Sequence, residues 1–374
     1  MTAEGRITID IFPANGAVTI ACDRPLAITR RFSGQRPEDI MRMVSLLFAT
    51  CRAAQSATSA AAFENALGVV ADGRTRTERA LLILAETARE HALRILMDWP
   101  QFLHAPEQAD ASTLRSLMQI SQDLSRALDG NGEASIAKLK ALLEAAVFGE
   151  ALDRWRARTT SDDVIEWAGS GQTVAQRLLH QIFDDGLAAA GAAPVATLPE
   201  LPPDTLAERL FAEDAEEFIA KPEWEGQPCE TSPLTRAAAH PLVESLKSED
   251  GYGLGARLAA CLVELAEIPA QMLELLDAPM NSAPVVERQP GIHGVGIGQV
   301  EAARGRLVHA VQMADAKVHC YRILAPTEWT FHPEGAAARG LRRIAALRGN
   351  DCLSLARLFV TAADPCVAAD VRVH

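Results

Sequence analysis

The sequence predicts an α+β protein that is mainly helical, with a central bundle of long helices and β-hairpins at the periphery. Abundant alanine and leucine beside only 5% aromatic residues favour helices. Residues 76–103 carry apolar side chains on most of a helix's circumference, which is typical of a helix buried in a bundle. Near the amino terminus, apolar and polar residues alternate around Asn15-Gly16, a strong hairpin signal.

A β-hairpin opens the chain, and a tightly packed helix follows it. The alternating apolar residues on the two sides of the turn are Ile7, Ile9, Ile11, Val18 and Ile20. Over 37–68 the pattern becomes helical. Its second half, CRAAQSATSAAAFENALG, is so rich in alanine and serine that a neighbouring backbone could approach it closely. We therefore expect a helix that packs tightly in a core.

Further helices form the expected bundle. The helix over 76–103 ends at Pro100, because proline lacks the amide that would continue it. Other helical patterns lie near 110–129, 133–152, 172–190 and 255–277, and a polar stretch at 159–163 separates two of them. Segment 191–204, GAAPVATLPELPPD, has little periodicity and predicts an exposed connection. Chain order does not show whether it divides two domains, and we interpret 1–374 as a single domain.

The last quarter of the chain differs from the helical part in its residue pattern. From 285 a glycine-rich run, GIHGVGIGQVEAARG, leads into two predicted strands over 308–312 and 318–323, joined at Ala314-Asp315-Ala316. Helical stretches at 336–347 and 352–359 follow, and then the tail DPCVAADVRVH. The glycine run lacks a Walker Lys-Ser/Thr pair and a following helix, so it does not predict a nucleotide site.

Charge and cysteine usage exclude several classes of function. A net charge of -13 argues against sequence-independent nucleic-acid binding, which needs a basic surface. MTAEGRITIDIF lacks the features of a secretory signal, and no run of roughly 18 apolar residues could span a bilayer. We expect a cytoplasmic protein with protein and small-ligand partners. Its seven cysteines are scattered without a Cys-x-x-Cys pair, which predicts neither a disulfide framework nor a zinc finger.

Several stretches, in a consistent order, carry motifs of one known family. GVGIGQVEAARGRLVHAVQMADAKVHCYRILAPTEWTFHPEG is similar to the Gly-Val-Gly-x-Val-Glu-Ala-Pro-Arg-Gly-x-Leu-x-His hairpin and Pro-Thr-x-Trp-Asn strand of nickel-iron hydrogenase large subunits. The matching residues are Glu301, Arg304, Gly305, Leu307, His309, Pro326, Thr327, Trp329 and Pro333. Glu4-Gly5-Arg6-Ile7 resembles the family's opening Glu-Gly-His-Leu. Two further landmarks are the helix ERALLILAETAREHALRIL, which retains His91, and SPLTR at 232–236.

The resemblance retains two of the family's four metal-binding cysteines. CRAAQSATSAAAFENALG is similar to the Cys-x-x-Cys-Pro-x-x-His motif, with Cys51 in the second cysteine position. Asp364-Pro365-Cys366 is similar to the carboxy-terminal Asp-Pro-Cys-x-x-Cys-x-x-His motif, with Cys366 in the first cysteine position. The other positions of the two motifs are occupied by Phe48, Arg52, Gln55, Ala369 and Arg372.

These substitutions imply a different metal chemistry. In the family, four thiolates hold nickel and an iron that carries cyanide and carbon monoxide, and two cysteines are too few for that centre. The resemblance implies that Cys51 and Cys366 are metal ligands for an iron fragment without nickel. It also assigns Arg304, which could donate to a cyanide nitrogen, and Thr327 to binding of that fragment. The alternative is that both cysteines are relics buried in a core.

The pattern looks like the large-subunit-like hydrogenase expression and formation proteins of the HupK and HoxV type. The resemblance implies a non-enzymatic scaffold that transiently holds an Fe(CN)2(CO) fragment. The implied partners are a HypC-type small assembly chaperone with its partner proteins, and the nickel-iron hydrogenase large subunit precursor. We expect the sulfurs of Cys51 and Cys366 within about 5 Å of each other, since thiolate-metal bonds are about 2.3 Å long.

Two alternative functions belong to the same family. One is a metal-free structural or docking subunit, like the complex I member of the family. The other is an active or sensory hydrogenase, which is disfavoured because the side chains of Phe48 and Ala369 cannot coordinate a metal.

Overall fold

The computed structural model describes residues 5–23, 27–108, 110–127, 130–278, 294–347 and 352–374. Glu4 of the opening motif and the segment 285–293, which includes the start of the glycine-rich run, lie outside these ranges. The described chain is mainly helical and contains two three-stranded sheets. Over the same ranges, no helix combines the length and the apolar character that crossing a membrane requires.

The described elements confirm an α+β protein and have the following bounds. The strands are β1 (Arg6–Phe12), β2 (Ala17–Asp23), β3 (Val295–Ala302), β4 (Gly305–Ala314), β5 (Lys317–Leu324) and β6 (Ala368–Val373). The helices up to residue 190 are α1 (Ala27–Arg30), α2 (Pro37–Leu47), α3 (Arg52–Leu67), α4 (Gly73–Leu93), α5 (Ala111–Leu124), α6 (Gly132–Leu143), α7 (Leu152–Arg156), α8 (Ser161–Ala168) and α9 (Val174–Asp184). The later helices are α10 (Pro203–Leu210), α11 (Ala215–Ala220), α12 (Pro233–Ala237), α13 (Pro241–Ser245), α14 (Leu254–Asp277), α15 (Pro326–Thr330), α16 (Ala336–Ala346) and α17 (Cys352–Ala363).

One sheet joins the two ends of the chain. β1 and β2 form the predicted antiparallel hairpin, with Gly16 in the left-handed region at φ +68°. β6 then pairs with β1 in parallel, giving the order β2-β1-β6. Cys366 lies two residues before the start of β6, so this pairing holds the carboxy-terminal cysteine motif against the amino-terminal hairpin.

The second sheet, in the order β3-β4-β5, lies against α3. Its β4-β5 hairpin confirms the prediction, and the turn residues Asp315 and Ala316 both have positive φ values of about 50° and 60°. The preceding glycine run, which we had not assigned as a strand, forms β3. A Cβ atom on Gly296 would lie 2.0 Å from the carbonyl oxygen of Ala62, and one on Gly298 would lie 2.1 Å from that of Thr58. The glycines therefore admit the close backbone approach that the small residues of α3 predicted.

The two longest helices lie in the main core. α4 and α14 contain 21 and 24 residues and contact each other within the largest hydrophobic cluster. This arrangement confirms the predicted central bundle of long helices. α4 continues into a π-helical turn, Arg94–Asp98, and then a 3-10 turn, Trp99–Phe102. Such interruptions of a helix often occur at functional sites.

Three predictions about local structure were wrong. The helix expected over 37–68 is broken into α2 and α3, and Cys51 lies at the amino-terminal cap of α3. The polar stretch 159–163 begins α8, where Thr160 and Asp163 form a capping box. The strand expected at the Pro-Thr-x-Trp motif is the short helix α15, because Pro326 at its first position has the φ angle that starts a helix.

The segment 191–204 is largely irregular, as predicted, but it is not exposed throughout. Four of its apolar side chains, Ala192, Ala193, Leu198 and Leu201, are buried. Its backbone also forms isolated bridges, Ala193 with Tyr252 and Thr197 with Glu230. These contacts tie the segment to the surrounding structure, so the prediction of an exposed connection was wrong. The single-domain interpretation of 1–374 stays a prediction.

Candidate metal centre

The two predicted ligand cysteines come from opposite ends of the chain and lie in one electrostatic environment. Burial, with the charges of Cys366 and Glu86, raises the pKa of Cys51 to about 12, although Gln55 and Arg304 lower it in part. An effect of Cys366 on Cys51 requires the two thiols to be neighbours. The expected sulfur separation of about 5 Å stays a prediction. Over the described ranges, no three His, Cys, Asp or Glu side chains form a group that could hold a metal ion.

Thr327 holds the Cys366 thiol in place. Its hydroxyl accepts a hydrogen bond from the Cys366 amide, with 3.0 Å between Oγ1 and N. The same hydroxyl donates to the sulfur, with 2.8 Å between Oγ1 and Sγ. Thr327 is itself buried at the start of α15. It therefore fixes the backbone and the side chain of Cys366 together, which makes it a positioning residue for this thiol.

Arg304 lies in the β3-β4 turn and bridges two buried carboxylates. Its Nη2 donates to Glu90 Oε2 at 3.0 Å, and its Nε donates to Asp364 Oδ1 at 3.3 Å. Burial lowers the pKa of Arg304, but the charges of Asp364, Glu90 and Cys366 outweigh it and raise the pKa overall. Within the described part of the chain, Arg304 Nη1 makes no hydrogen bond.

Asp364 joins the arginines to the carboxy-terminal cysteine motif. It has a φ of +49°, which is uncommon for a residue with a side chain and forms the turn from α17 towards Cys366. Arg94 donates to its carboxylate through Nε at 2.8 Å and through Nη2. Burial raises the pKa of Asp364, but Arg304, Arg94 and His91 lower it below the usual value overall. The carboxylate therefore stays ionised, and it pairs with both guanidinium groups two residues before Cys366.

The sequence interpretation missed the carboxylates that α4 contributes. Glu86 accepts hydrogen bonds from the amides of Ala53 and Ala54, at 2.7 and 3.1 Å, and so caps the first turn of α3 next to Cys51. Burial raises the pKa of Glu86, although those two amides lower it in part. Glu90 binds Arg304. A signal for both residues was present in the sequence, because acidic residues on a helix that is apolar around most of its circumference need buried partners.

A buried chain of hydrogen bonds leads from β5 to Cys51. The Tyr321 hydroxyl bonds Ser59 Oγ at 2.8 Å and His309 Nδ1 at 2.6 Å. The other nitrogen of His309, Nε2, lies 2.8 Å from Gln55 Oε1. Because a carbonyl oxygen only accepts, neutral His309 donates from Nε2, and the Gln55 amide group is left to donate to Cys51. The chain therefore fixes the orientation of the Gln55 donor at the sulfur.

We expect His309 to make the protein less stable in mild acid. Burial lowers its pKa to about 3, whereas an unfolded histidine titrates near 6.5. Between these pH values the unfolded chain binds a proton that the folded chain excludes. The contribution of neutral His309 to the free energy of unfolding is therefore complete above pH 6.5 and is lost as the pH falls towards 3. The slope is about 1.4 kcal/mol per pH unit. In His309→Gln this contribution is absent. The difference in free energy of unfolding between the wild type and the variant, measured with urea, should therefore decrease as the pH falls from 6.5 to 4. A difference that stays constant would contradict the neutral assignment.

Comparisons with known proteins identify the family. A model described as nickel-dependent hydrogenase matches residues 256–372. The hydrogenase expression/formation protein HoxV of Cupriavidus necator is 32% identical, over 98% of this chain and 95% of its own length. The chain belongs to the hydrogenase expression/formation protein family. Another relative, HupK of Azotobacter vinelandii, bears the same description and is 29% identical over 99% of this chain and 98% of its own.

Solved structures show the fold of this family member. The nickel-iron-selenium hydrogenase of Desulfovibrio vulgaris Hildenborough in its reduced state aligns with a TM-score of 0.57. The alignment covers 94% of this chain and 93% of that chain, at 16% identity. The predicted hydrogenase large-subunit-like fold is thereby confirmed. At this identity the alignment carries no statement about the ligands of the metal centre.

The positions where this family member departs from the hydrogenase motifs are filled by side chains that cannot bind metal. Phe48 is buried in the apolar cluster beside α3. Ala369 lies in β6 opposite Ile7 of β1, and Arg372, in the same strand, bonds Asp370. At Gln55 the replacement is a hydrogen-bond donor to Cys51 that His309 holds in place. The candidate site therefore groups Cys51 and Cys366 with polar neighbours that hydrogen bonds hold in place.

Proposed function

We propose that this protein is a scaffold in nickel-iron hydrogenase assembly that holds an Fe(CN)2(CO) fragment between Cys51 and Cys366. The observation that carries the proposal is the grouping of these two thiols with Arg304, whose Nη1 group has no partner in the described chain. The names of the relatives support the wider role in hydrogenase formation. The fragment is the cargo of the protein, so the proposed role involves no catalysis.

The chemistry of the donor set fits this cargo. Thiolates are soft ligands that suit iron carrying cyanide and carbon monoxide. A guanidinium group donates to the nitrogen of a bound cyanide, which gives Arg304 a specific role. Iron(II) with two cyanides and one carbon monoxide is neutral, so two thiolates bring two negative charges into a buried site. Arg304 offsets part of this charge, while Asp364 and Glu90 hold the arginine in position.

The same set of residues favours temporary holding. Because burial raises the pKa of Cys51, its thiol stays protonated in neutral solution until a metal displaces the proton. Two thiols cannot supply the four thiolates that hold nickel and iron together in the related hydrogenase centre. A fragment bound in this way can pass to a site with more thiolates. We propose that it arrives from a HypC-type chaperone and leaves for the large subunit precursor.

An infrared spectrum of the protein tests this proposal. The protein is purified anaerobically from cells that express the assembly genes, together with Cys51→Ala and Cys366→Ala. We expect cyanide and carbon monoxide stretching bands in the wild type and their loss in both variants. Cys320→Ala is the matched control, because Cys320 lies in β5 and is not among the groups that shift the pKa of Cys51.

Each other outcome contradicts a specific part of the proposal. Bands that persist in Cys51→Ala and Cys366→Ala would place the iron ligands elsewhere. A wild-type protein without bands that still associates with the chaperone would be a metal-free docking protein. Loss of bands in Cys320→Ala as well would show that the response is not specific to the two thiols.

A further inference from the structure

Two landmarks of the sequence, His91 and the segment SPLTR, are joined to each other through α14. His91 of α4 is fully buried, and its Nε2 lies 2.8 Å from Glu264 Oε2 of α14. Arg236, the last residue of SPLTR, donates to both oxygens of Glu264, through Nε at 2.6 Å and Nη2 at 2.9 Å. An ionised carboxylate only accepts hydrogen bonds, so Glu264 holds the histidine and the arginine in one fixed arrangement.

Arg236 also reaches the turn that carries Arg304. This turn consists of Ala303 and Arg304, between β3 and β4. The Nη2 group of Arg236 donates to the Ala303 carbonyl oxygen at 2.8 Å, and its Nη1 group donates to Glu301 Oε2, in β3, at 3.3 Å. One guanidinium group therefore links α14 to the backbone of the residue that precedes Arg304.

Thr231 holds the chain on the other side of Arg304. Its Oγ1 accepts a hydrogen bond from the Arg306 amide at 2.8 Å. A Cβ atom on Gly305 would lie 2.4 Å from the Thr231 carbonyl oxygen, so only glycine admits this close approach. The residues before and after Arg304 are therefore both fixed by the segment 231–236.

α4 is linked to both the side chain and the backbone of Arg304. The side chain bonds Glu90 directly, with 3.0 Å between Nη2 and Oε2. The backbone is connected through Arg236 and Glu264 to His91, the next residue of α4. A movement of the turn relative to α4 would break the hydrogen bonds of one connection or the other.

We propose that Arg236 is a positioning residue for Arg304 and thereby sets how tightly the cargo is held. The inference rests on the proposed function, because Arg304 is the group that we assign to a cyanide nitrogen. The hydrogen bonds of Arg236 are to Glu264, Glu301 and Ala303, so it acts on the cargo through the turn. Hydrogen bonds weaken steeply when donor and acceptor are displaced, so a loosened turn would hold the cyanide less well.

Hydrogen exchange of the metal-free protein tests whether Arg236 holds the turn. Amide exchange in a peptide that contains Gly305 and Arg306 is followed by mass spectrometry. In Arg236→Gln we expect exchange about tenfold faster than in the wild type, because the turn opens locally once its link to α14 is lost. Exchange at the wild-type rate would overturn the proposal, whatever the state of the cargo.

Arg156→Gln is the matched control. Arg156, in α7, makes the same kind of fork to a glutamate of α14, with Nε 2.8 Å from Glu267 Oε1 and Nη2 2.6 Å from Oε2. Its bonds do not extend to the β3-β4 turn, so we expect the turn to exchange at the wild-type rate. Equally fast exchange in both variants would mean that loss of any ion pair on α14 loosens the turn, which contradicts a specific role of Arg236.

Arg236→Lys covers the case in which circular dichroism shows that Arg236→Gln has not folded. Lysine keeps a positive charge beside Glu264 but lacks the planar fork that reaches the carboxylate and the Ala303 carbonyl together. We expect faster exchange in the turn, by less than in Arg236→Gln. A folded Arg236→Lys protein with wild-type exchange would then overturn the proposal.

Cyanide band intensity after dialysis against an iron chelator tests whether Arg236 acts through Arg304. We expect Arg236→Gln to lower retention about tenfold in the wild-type background. In the Arg304→Leu background it should cause no further loss, because residues that act through one another are not additive. A further tenfold loss there would overturn the proposal. A wild type without bands would contradict the proposed function instead, and the exchange measurement would still decide whether Arg236 positions the turn.

Discussion

Replacing Gly298 by alanine is expected to destabilise the protein by about 3 kcal/mol or more. The added Cβ atom would lie 2.1 Å from the Thr58 carbonyl oxygen and 2.7 Å from the Ala62 amide nitrogen. Both are backbone atoms of α3, so no side-chain rotation relieves the overlap. Either β3 or α3 must shift, and the contacts between them are lost. Urea unfolding of the purified variant measures the effect.

Gly169→Ala is the matched control for this substitution. Gly169 has a φ of -62°, and the nearest atom to an added Cβ is 3.4 Å away. Alanine fits that conformation, so we expect a change within about 0.5 kcal/mol. If Gly298→Ala were as stable as Gly169→Ala, α3 could not lie against β3 as the structure has it.

The contact of α3 with β3 also matters for the candidate metal centre. Cys51 occupies the amino-terminal cap position of α3, and Arg304 follows β3 in the turn to β4. The separation of helix and strand therefore sets where the thiol lies relative to the guanidinium. Glycine at Gly296 and Gly298 is thus required for the geometry of the site as well as for packing.

Local signals allowed much of the fold to be predicted. Gly16 has the positive φ that a tight hairpin turn needs, and this property depends on neighbouring residues alone. The long apolar helices α4 and α14 were evident from periodicity for the same reason. By contrast, β6 pairs with β1 from the other end of the chain, and nothing within the tail DPCVAADVRVH specifies that partner. Non-local pairing is the information that a local pattern lacks.

The glycine run illustrates a second limit. Glycine is depleted in strands, so GVGIGQVEA favoured a loop on local grounds. Its strand forms because α3, over 200 residues earlier, presents a surface of small side chains that only glycine can approach. The glycines of β3 and the small residues of α3 were both evident in the sequence. That these two segments contact each other was not evident, since the contact depends on the tertiary fold.

The candidate site was predicted through its motifs more than through its charges. The motifs indicated Cys51, Cys366, Arg304 and Thr327, and the structure groups them through direct hydrogen bonds or electrostatic contact. The carboxylates that position them were not predicted. Glu86, Glu90 and Asp364 matter only because distant elements bring arginine and helix-terminal amides to them. Such partners cannot be assigned from a single segment.

Arg304→Leu is expected to weaken retention of the iron fragment by about 10- to 100-fold, the range typical of removing a partner from a metal site. Leucine supplies no donor for a cyanide nitrogen and no positive charge to offset the two thiolates. The variant should still fold, because Asp364 keeps its bonds from Arg94 and Glu90 keeps its bonds from Arg89. The measurement is the cyanide band intensity per protein after dialysis against an iron chelator.

Two further variants show whether Arg304 acts through its specific geometry. Arg304→Lys keeps the charge but loses the planar group that reaches Glu90 and Asp364 together, so we expect retention between the wild type and Arg304→Leu. Arg306→Leu is the matched control. Arg306 lies two residues further along the chain, in β4, and it bonds Glu301 at 2.7 Å instead of Glu90 or Asp364. Equal retention in Arg304→Leu and Arg306→Leu would mean that Arg304 serves only to pair buried carboxylates. Cargo binding would then rest on the two thiols alone, and the cyanide bands should show no shift in Arg304→Lys.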